Sequence, residues 1–154
     1  MKAERARISD IPHIHKLVNH FADKGEMLPR ARSELYENVR DFFVVLDDEQ
    51  LVACAALHIF WSDLAEIRAV SVVEGMQDQG AGTLLIQACL EEATSMGMKT
   101  IFCLTYRPDF FEHFGFRQVD KKELPHKIWG ECFRCPKFPD CDEVALIYKP
   151  ESSC

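Results

Sequence analysis

The sequence predicts a mixed α/β domain, on three observations. Its hydrophobic period switches repeatedly between helical and strand-like, glycines, prolines and acidic turns fall where the period changes, and 154 residues suffice for one core but crowd two. The predicted order is β-α-α-β-β-β-α-β-α-β-β in a single domain, 1–154, with a cysteine-rich loop at about 126–142.

Residues 3–8 alternate as a first strand. Ser9 and Asp10 offer N-cap oxygens, and Pro12 suits a first helical turn. Ile11, Ile14, Leu17, Val18 and Phe21 follow at helical spacing until Gly25 offers a stop. A second helix is predicted from Ser33 to Asp41, with Leu35 and Val39 inward. The period then shortens. Phe42–Leu46 and Leu51–Phe60 flank the polar turn Asp47-Asp48-Glu49-Gln50, which reads as a hairpin with a longer loop. Ala65 to Val73 is another β-rich run. The helical period returns from Ala81 to Met96 through Leu84, Leu85, Ala88, Cys89 and Ala93, ending at Gly97. Thr100–Thr105 is a short apolar strand, and Pro108–Phe114 a short aromatic helix that Gly115 breaks. Phe116–Val119 and Glu143–Tyr148 complete the set as late strands.

A net charge of −7 argues against general affinity for nucleic acid or anionic membranes. No apolar run approaches the roughly 20 residues that span a bilayer. The first residues lack the apolar stretch of a signal peptide, so the expected location is the cytoplasm.

The most informative segment runs from Val70 to Thr83, where a β-rich run feeds a turn with glycines and then an amphipathic helix. Gly80 and Gly82 lack the Cβ atoms that would hold a ligand off the backbone. Successive N–H groups of Gln79, Gly80, Ala81, Gly82 and Thr83 can converge on an anion, with the helix dipole behind them. Gln77 adds a side-chain donor, and Asp78 lies in the same turn. The expected ligand group is a phosphate or pyrophosphate; the alternative is a glycine-rich turn with no ligand. The glycines lack the G-x-G-x-x-G spacing of a dinucleotide fingerprint, and no Gly-Lys-Ser/Thr of a P-loop is present.

Gln77-x-x-Gly80-x-Gly82 after a strand resembles the acetyl-CoA pyrophosphate motif of GNAT acetyltransferases. A second signature, Phe110-Phe111-Glu112-His113-Phe114-Gly115-Phe116, resembles that family's short helix ending in Gly-Phe beside the pantetheine. The resemblance implies a GNAT fold: a mixed, mostly antiparallel sheet flanked by helices, with a splayed central strand pair. It implies acetyl-CoA as cosubstrate, with the backbone of Val70, Ser71 and Val72 bonding the pantetheine arm and thioester carbonyl. GNAT domains often pair, so a homodimer is expected.

Glu66 stands where many GNAT enzymes keep a general base, often acting through water. Its alternatives are a surface carboxylate or a partner for Arg68. The family's frequent acid, a Tyr in the aromatic helix, is replaced here by Phe111, which has no proton to give. Tyr106 lies nearby in sequence, and backbone N–H groups can stabilise the oxyanion without a dedicated acid.

A closer resemblance, scattered over residues 5–148, is to the acetyltransferase domain of bacterial N-acetylglutamate synthases. It rests on Gly25–Leu35, Cys54-Ala55-Ala56-Leu57, Ala65-Glu66, Leu104-Thr105-Tyr106-Arg107 and Phe114–Asp120 followed by Leu124-Pro125. It implies glutamate as the acyl acceptor and arginine biosynthesis as the setting; another small amino acid or amine is the rival acceptor. Arg30 matches the family's substrate-binding arginine, and a guanidinium can grip a carboxylate bidentately. Arg107, at a strand end, is a second candidate; both also read as surface charges. The amino-acid-kinase-like domain usual in those synthases has no counterpart in these residues, nor do the Arg and Ser of their late strand near Cys141–Val144.

Cys54, Cys89 and Cys103 sit inside apolar runs as buried small hydrophobes. Cys132, Cys135 and Cys141 crowd together with His126 nearby, a sound tetrahedral set for structural zinc. Free thiols or a redox-sensitive pair are the alternatives. The enzyme reading thus stands beside two others: a CoA-binding sensor that lost catalysis, favoured by Phe111, and a zinc-stabilised interaction module, favoured by the cysteines.

Overall fold

Strand β1 (Lys2–Arg5) forms one edge of a seven-stranded sheet whose spatial order is β1-β2-β3-β4-β5-β7-β6. The computed structural model describes residues 1–124 and 143–150. The other strands are β2 (Phe42–Asp47), β3 (Gln50–Trp61), β4 (Leu64–Val72), β5 (Thr100–Thr105), β6 (Arg117–Val119) and β7 (Val144–Tyr148). Every pairing is antiparallel except β4 with β5. The helices are α1 (Ile11–Asp23), α2 (Arg32–Glu37), α3 (Ala81–Ser95) and α4 (Pro108–Glu112).

Each helix covers the face its sequence pattern dictates. On one face, Leu85, Ile86, Cys89 and Ala93 of α3 pack on Val45, Ala53, Ala55, Leu57, Ile67 and Ile101. On the other, Ile11, Ile14, Val18 and Phe21 of α1, with Leu35 of α2, pack on Val44, Cys54 and Ala56. The Val, Leu, Ile and Phe side chains among these each contribute about 1.5–3 kcal/mol on full burial. In α3 the fully buried positions include Ile86, whereas Leu84 and Ala88 are only partly buried. A third cluster, with Leu64, Phe102, Leu124 and Ala145, lies towards β5 and β7.

Three local expectations are corrected. The β2–β3 hairpin closes in two residues rather than through a longer loop. Asp48 and Glu49 both take positive φ, 50° and 67°, the geometry of a tight turn that matches strand twist. The second helix stops at Glu37: Asn38 leaves the helical conformation at φ −110°, and its N–H and Nδ2 both donate to the Glu34 carbonyl, at 3.1 and 2.9 Å. A separate 3-10 turn, Val39–Asp41, then leads into β2. Asp10 does not cap α1 from in front; its carboxylate accepts the N–H of Arg7 at 2.8 Å and closes the 3-10 turn Ile8–Asp10.

The functionally decisive feature is a parting of two strands. β4 and β5 pair at Leu64 with Thr100, Ala65 with Ile101 and Glu66 with Phe102. Beyond Glu66, β4 stays with β3 while β5 continues with β7 as far as Thr105 opposite Val144. A bulge re-aims β4 at this point: Cys54 faces Ser71 and Ala56 faces Arg68, so Ala69 and Val70 together oppose Ala55. Ala69 takes φ +58°, a left-handed conformation that costs a non-glycine residue about 1–2 kcal/mol. Ser71 Oγ donates to the Ala69 carbonyl at 3.2 Å, and Cys54 Sγ lies 3.7 Å from the same oxygen. Two buried side chains thereby hold the strained residue in place.

Candidate active site

The parted strands open a cleft of about 840 Å³. One wall is β4 from Ile67 to Val72, and the facing wall is Leu104, Thr105, Tyr106 and Arg107 at the end of β5. Met76, Gln77, Asp78, Gly80, Gly82 and Thr83 close one end, with Phe110 and Phe111 of α4 beside them. Phe21, Glu26 and Met27, from the end of α1 and the segment after it, close the other, and Glu143 also lines the cleft.

The loop before α3 is built turn by turn. Met76 N–H donates to the Val73 carbonyl at 2.9 Å, with Gly75 at φ +92°, as the third position of a type II turn requires. Gln77 Nε2 donates to the Val72 carbonyl at 3.4 Å, so this side chain ties the loop to the end of β4. Gly80 caps α3 at φ +92° with no side-chain bond, and a Cβ there would stand in open space. The first helical bond runs from Leu84 N–H to the Gly80 carbonyl at 3.1 Å. The N–H groups of Ala81, Gly82 and Thr83 precede that bond, where a helix supplies no acceptor and its dipole is positive.

Gly82 lines the cleft and also has a packing reason to lack a side chain. A Cβ on it would lie 3.0 Å from Phe110 Cζ, so the missing side chain admits an aromatic ring. Gln79 and Ala81 lie outside the cleft lining: Gln79 Nε2 donates to the Gly75 carbonyl at 3.4 Å, and Ala81 is buried in the core.

Glu66 is buried at 7% exposure and belongs to the last β4–β5 pair before the strands part. Arg68, two residues on and on the same face, lines the cleft and places Nη1 3.5 Å from Glu66 Oε1. Val70, Ser71 and Val72 all line the cleft, and Ser71 Oγ also lies 3.5 Å from Met27 Sδ, linking β4 to the segment after α1. Burial pushes the Cys54 thiol up to about 12, opposed by a hydrogen bond with Ser71, which makes it an inert core group. Burial also pushes Cys103 above the ordinary thiol range, with the charges of Glu66 and Glu143 acting in the same direction.

The two candidate arginines divide. Arg107 lines the cleft, its backbone N–H held by Thr105 Oγ1 at 2.9 Å. Arg30 does not line it; its Nη1 donates to Glu34 Oε2 at 2.8 Å. Asn19 braces its backbone in both directions, accepting from Arg30 N–H at 3.2 Å and donating to its carbonyl at 3.0 Å. Phe111 is buried against Phe110 and Phe116, at ring-centroid distances of 5.3 and 5.4 Å, and its ring has no proton to give. Tyr106 lines the cleft wall. His126, Cys132, Cys135 and Cys141 lie outside the described residues, and no group of metal-binding side chains occurs among those described.

A strand pair that parts beside the open end of a helix is a fold-level signature, and the sequence carries the matching family profile. Residues 11–116 match the acetyltransferase (GNAT) family. The chain belongs to that family. It is a GNAT N-acetyltransferase using acetyl-CoA, related to amino-acid acetyltransferases. An uncharacterized N-acetyltransferase of Chlorobaculum tepidum is 34% identical over 142 residues, 92% of each chain. An amino-acid acetyltransferase of Mycobacterium tuberculosis is 35% identical over 147 residues, 94% of this chain and 84% of that one. The N-acetylglutamate synthase of Neisseria gonorrhoeae, crystallised with coenzyme A and N-acetyl-glutamate, superposes with a TM-score of 0.87 at 27% identity. That match covers 96% of this chain but 34% of the synthase. No helix among the described residues of this GNAT domain is long and apolar enough to cross a membrane.

Sequence reasoning missed Arg68, Met27 and Glu143 as cleft residues, and it missed the Ala69 bulge. Arg68 carried a signal, since it follows Glu66 by two on one strand. Glu143 carried none, because only the β5–β7 pairing brings it to the cleft.

Proposed function

We propose that this GNAT enzyme transfers the acetyl group of acetyl-CoA to the amino group of L-glutamate. The observation that carries the reading is the cleft itself, which joins the open end of α3 to the gap between β4 and β5 and carries Arg68 and Arg107 on its facing walls. The pyrophosphate binds the N–H groups of Gly80 to Thr83, with Gln77, Asp78 and Gln79 shaping the turn around it. The pantetheine arm runs between the parted strands against the backbone of Val70, Ser71 and Val72, where N–H groups also polarise the thioester carbonyl. Glu66 removes a proton from the substrate ammonium, through water, and the freed amine attacks the carbonyl. As the tetrahedral intermediate collapses, its nitrogen gives up a second proton through water and the departing CoA thiolate takes one up, with Tyr106 on the cleft wall as the proposed donor that water reprotonates.

Two substrate carboxylates call for two cations. Arg107 faces the cleft already, and Arg30 serves by exchanging its Glu34 partner for a substrate carboxylate. The relatives named amino-acid acetyltransferase and the synthase bound to N-acetyl-glutamate support this acceptor. A setting in arginine biosynthesis, a cytoplasmic location, a homodimer and a structural zinc on His126, Cys132, Cys135 and Cys141 belong to the same proposal.

The test is acetyl-CoA turnover against a panel of amino acids and small amines, with products read by mass spectrometry. Acetylglutamate well above every other product is the expected result. A different acetylated amine keeps the reaction and discards glutamate. A second reading, a CoA-binding sensor, is favoured by the buried Phe111; CoA binding with no product from any amine is its signature.

A further inference from the structure

The α1 face of the sheet is apolar on both sides of a polar strip. Ala56 on β3 belongs to the cluster under α1, and Phe60 packs against the cluster near β7. His58 lies between them on the same strand and, by alternation, on the same face. Directly opposite His58 on β4 stands Glu66. Opposed residues of an antiparallel pair hold their Cβ atoms about 5 Å apart, a separation that one water bridges. On its other side, His58 Nδ1 lies 2.8 Å from Asp41 Oδ2, on the 3-10 turn before β2. The strip thus runs Arg68, Glu66, His58, Asp41, and its side-chain exposures rise outward from 12% and 10% to 25% and 24%. It leads from Arg68, which lines the cleft, through Glu66 just outside that lining, to the partly exposed His58 and Asp41.

We propose that His58, positioned by Asp41, relays to solvent the proton that Glu66 takes from the substrate ammonium. This inference rests on the acetyl-transfer reading and on Glu66 as base. The balance is simple. Glu66 carboxylate accepts one proton from the ammonium and becomes a carboxylic acid. His58 Nε2 accepts that proton through water, which restores the carboxylate and forms an imidazolium. The imidazolium gives the proton to bulk water or buffer. A bond from Nδ1–H to Asp41 fixes the tautomer that leaves the Nε2 lone pair open, and the Asp41 carboxylate steadies the transient cation. The charged groups around His58 among the described residues are Asp41, the exposed Arg40 of the same turn, and Glu66 and Arg68 of β4.

The experiment uses the full chain and the amine that the panel identifies. His58→Ala is expected to bind CoA as the parent does and keep its KM, while kcat at neutral pH falls about tenfold or more. Imidazole buffer restores kcat in that variant, and Asp41→Asn, which keeps the packed volume, shows a smaller loss with the same buffer dependence. A clamp that merely joined the turn to β3 would lower the melting temperature with no buffer-dependent kcat. Parent-like kcat in His58→Ala, or a loss that imidazole leaves untouched, overturns the relay. A blank panel for the parent protein overturns the acetyl-transfer reading, and the relay with it.

Discussion

A Cβ on Gly82 would stand 3.0 Å from Cζ and 3.3 Å from Cε1 of Phe110, so α3 and α4 meet through an absent side chain. Gly82→Ala therefore forces the ring to shift by a few tenths of an ångström or the helix to move. The expected cost is about 1 kcal/mol of stability, with a raised KM for acetyl-CoA, because the ring sits on the cleft wall. Phe110→Ala in the same chain should relieve the added cost, giving a non-additive pair in thermal melts.

Gly80 fails differently when changed. Its φ of +92° disfavours any side chain by about 1–2 kcal/mol, yet nothing stands within 4 Å of the missing Cβ. Gly80→Ala should therefore melt slightly early and still bind CoA. Gly80→Glu places a carboxylate where the pyrophosphate is proposed to sit, and calorimetry should show CoA affinity falling far more than stability. Unchanged affinity would remove the phosphate site from this loop.

Ser71 tests the bulge. Its hydroxyl, buried at 2% exposure, donates to the carbonyl of strained Ala69. Ser71→Ala removes that bond at a cost of about 1 kcal/mol. If the bulge aims the β4 backbone at the thioester, kcat falls more than KM rises; equal stability loss with parent-like kcat would assign Ser71 to packing alone.

Glu74 sets a pH dependence. Hydrogen bonds from Lys24 and His20, at the end of α1, hold its carboxyl below the ordinary value of 4.5. A lowered carboxyl contributes stability that is present above its ordinary value and lost as pH falls through the lowered one. Acid melts of Glu74→Gln should thus lack part of the loss that the parent shows below about pH 4.5. The effect is small at this exposed site and shrinks further with salt.

Much of this architecture is legible in one dimension because its period is local. The helical spacing of Ile11, Ile14, Leu17, Val18 and Phe21 places α1, and those five side chains are the ones it buries. The two-residue hairpin is not legible, since Asp48-Glu49 contains no glycine to announce two positive φ angles. Nothing in Arg68-Ala69-Val70-Ser71 marks a bulge either; it follows from pairing with β3, a non-local register. Arg30 was legible as a guanidinium near the substrate segment, but its ion pair with Glu34 depends on the backbone brace from Asn19. Of the residues expected at the phosphate turn, Gly80 and Gly82 reach the cleft while Gln79 and Ala81 turn away from it. The reason is the helix itself, which begins at Ala81 and turns that side chain into the core.

The central claim is that CoA enters where β4 leaves β5 and anchors at the open end of α3. The most direct measurement is a crystal structure of the chain grown with CoA and N-acetylglutamate. Pyrophosphate oxygens are expected within hydrogen-bond reach of the Gly80 to Thr83 N–H groups, and the thiol beside the Val70 to Val72 backbone. The acetylglutamate carboxylates should meet Arg107 and an Arg30 released from Glu34. CoA bound elsewhere, with the end of α3 and the gap between the strands left empty, would contradict it.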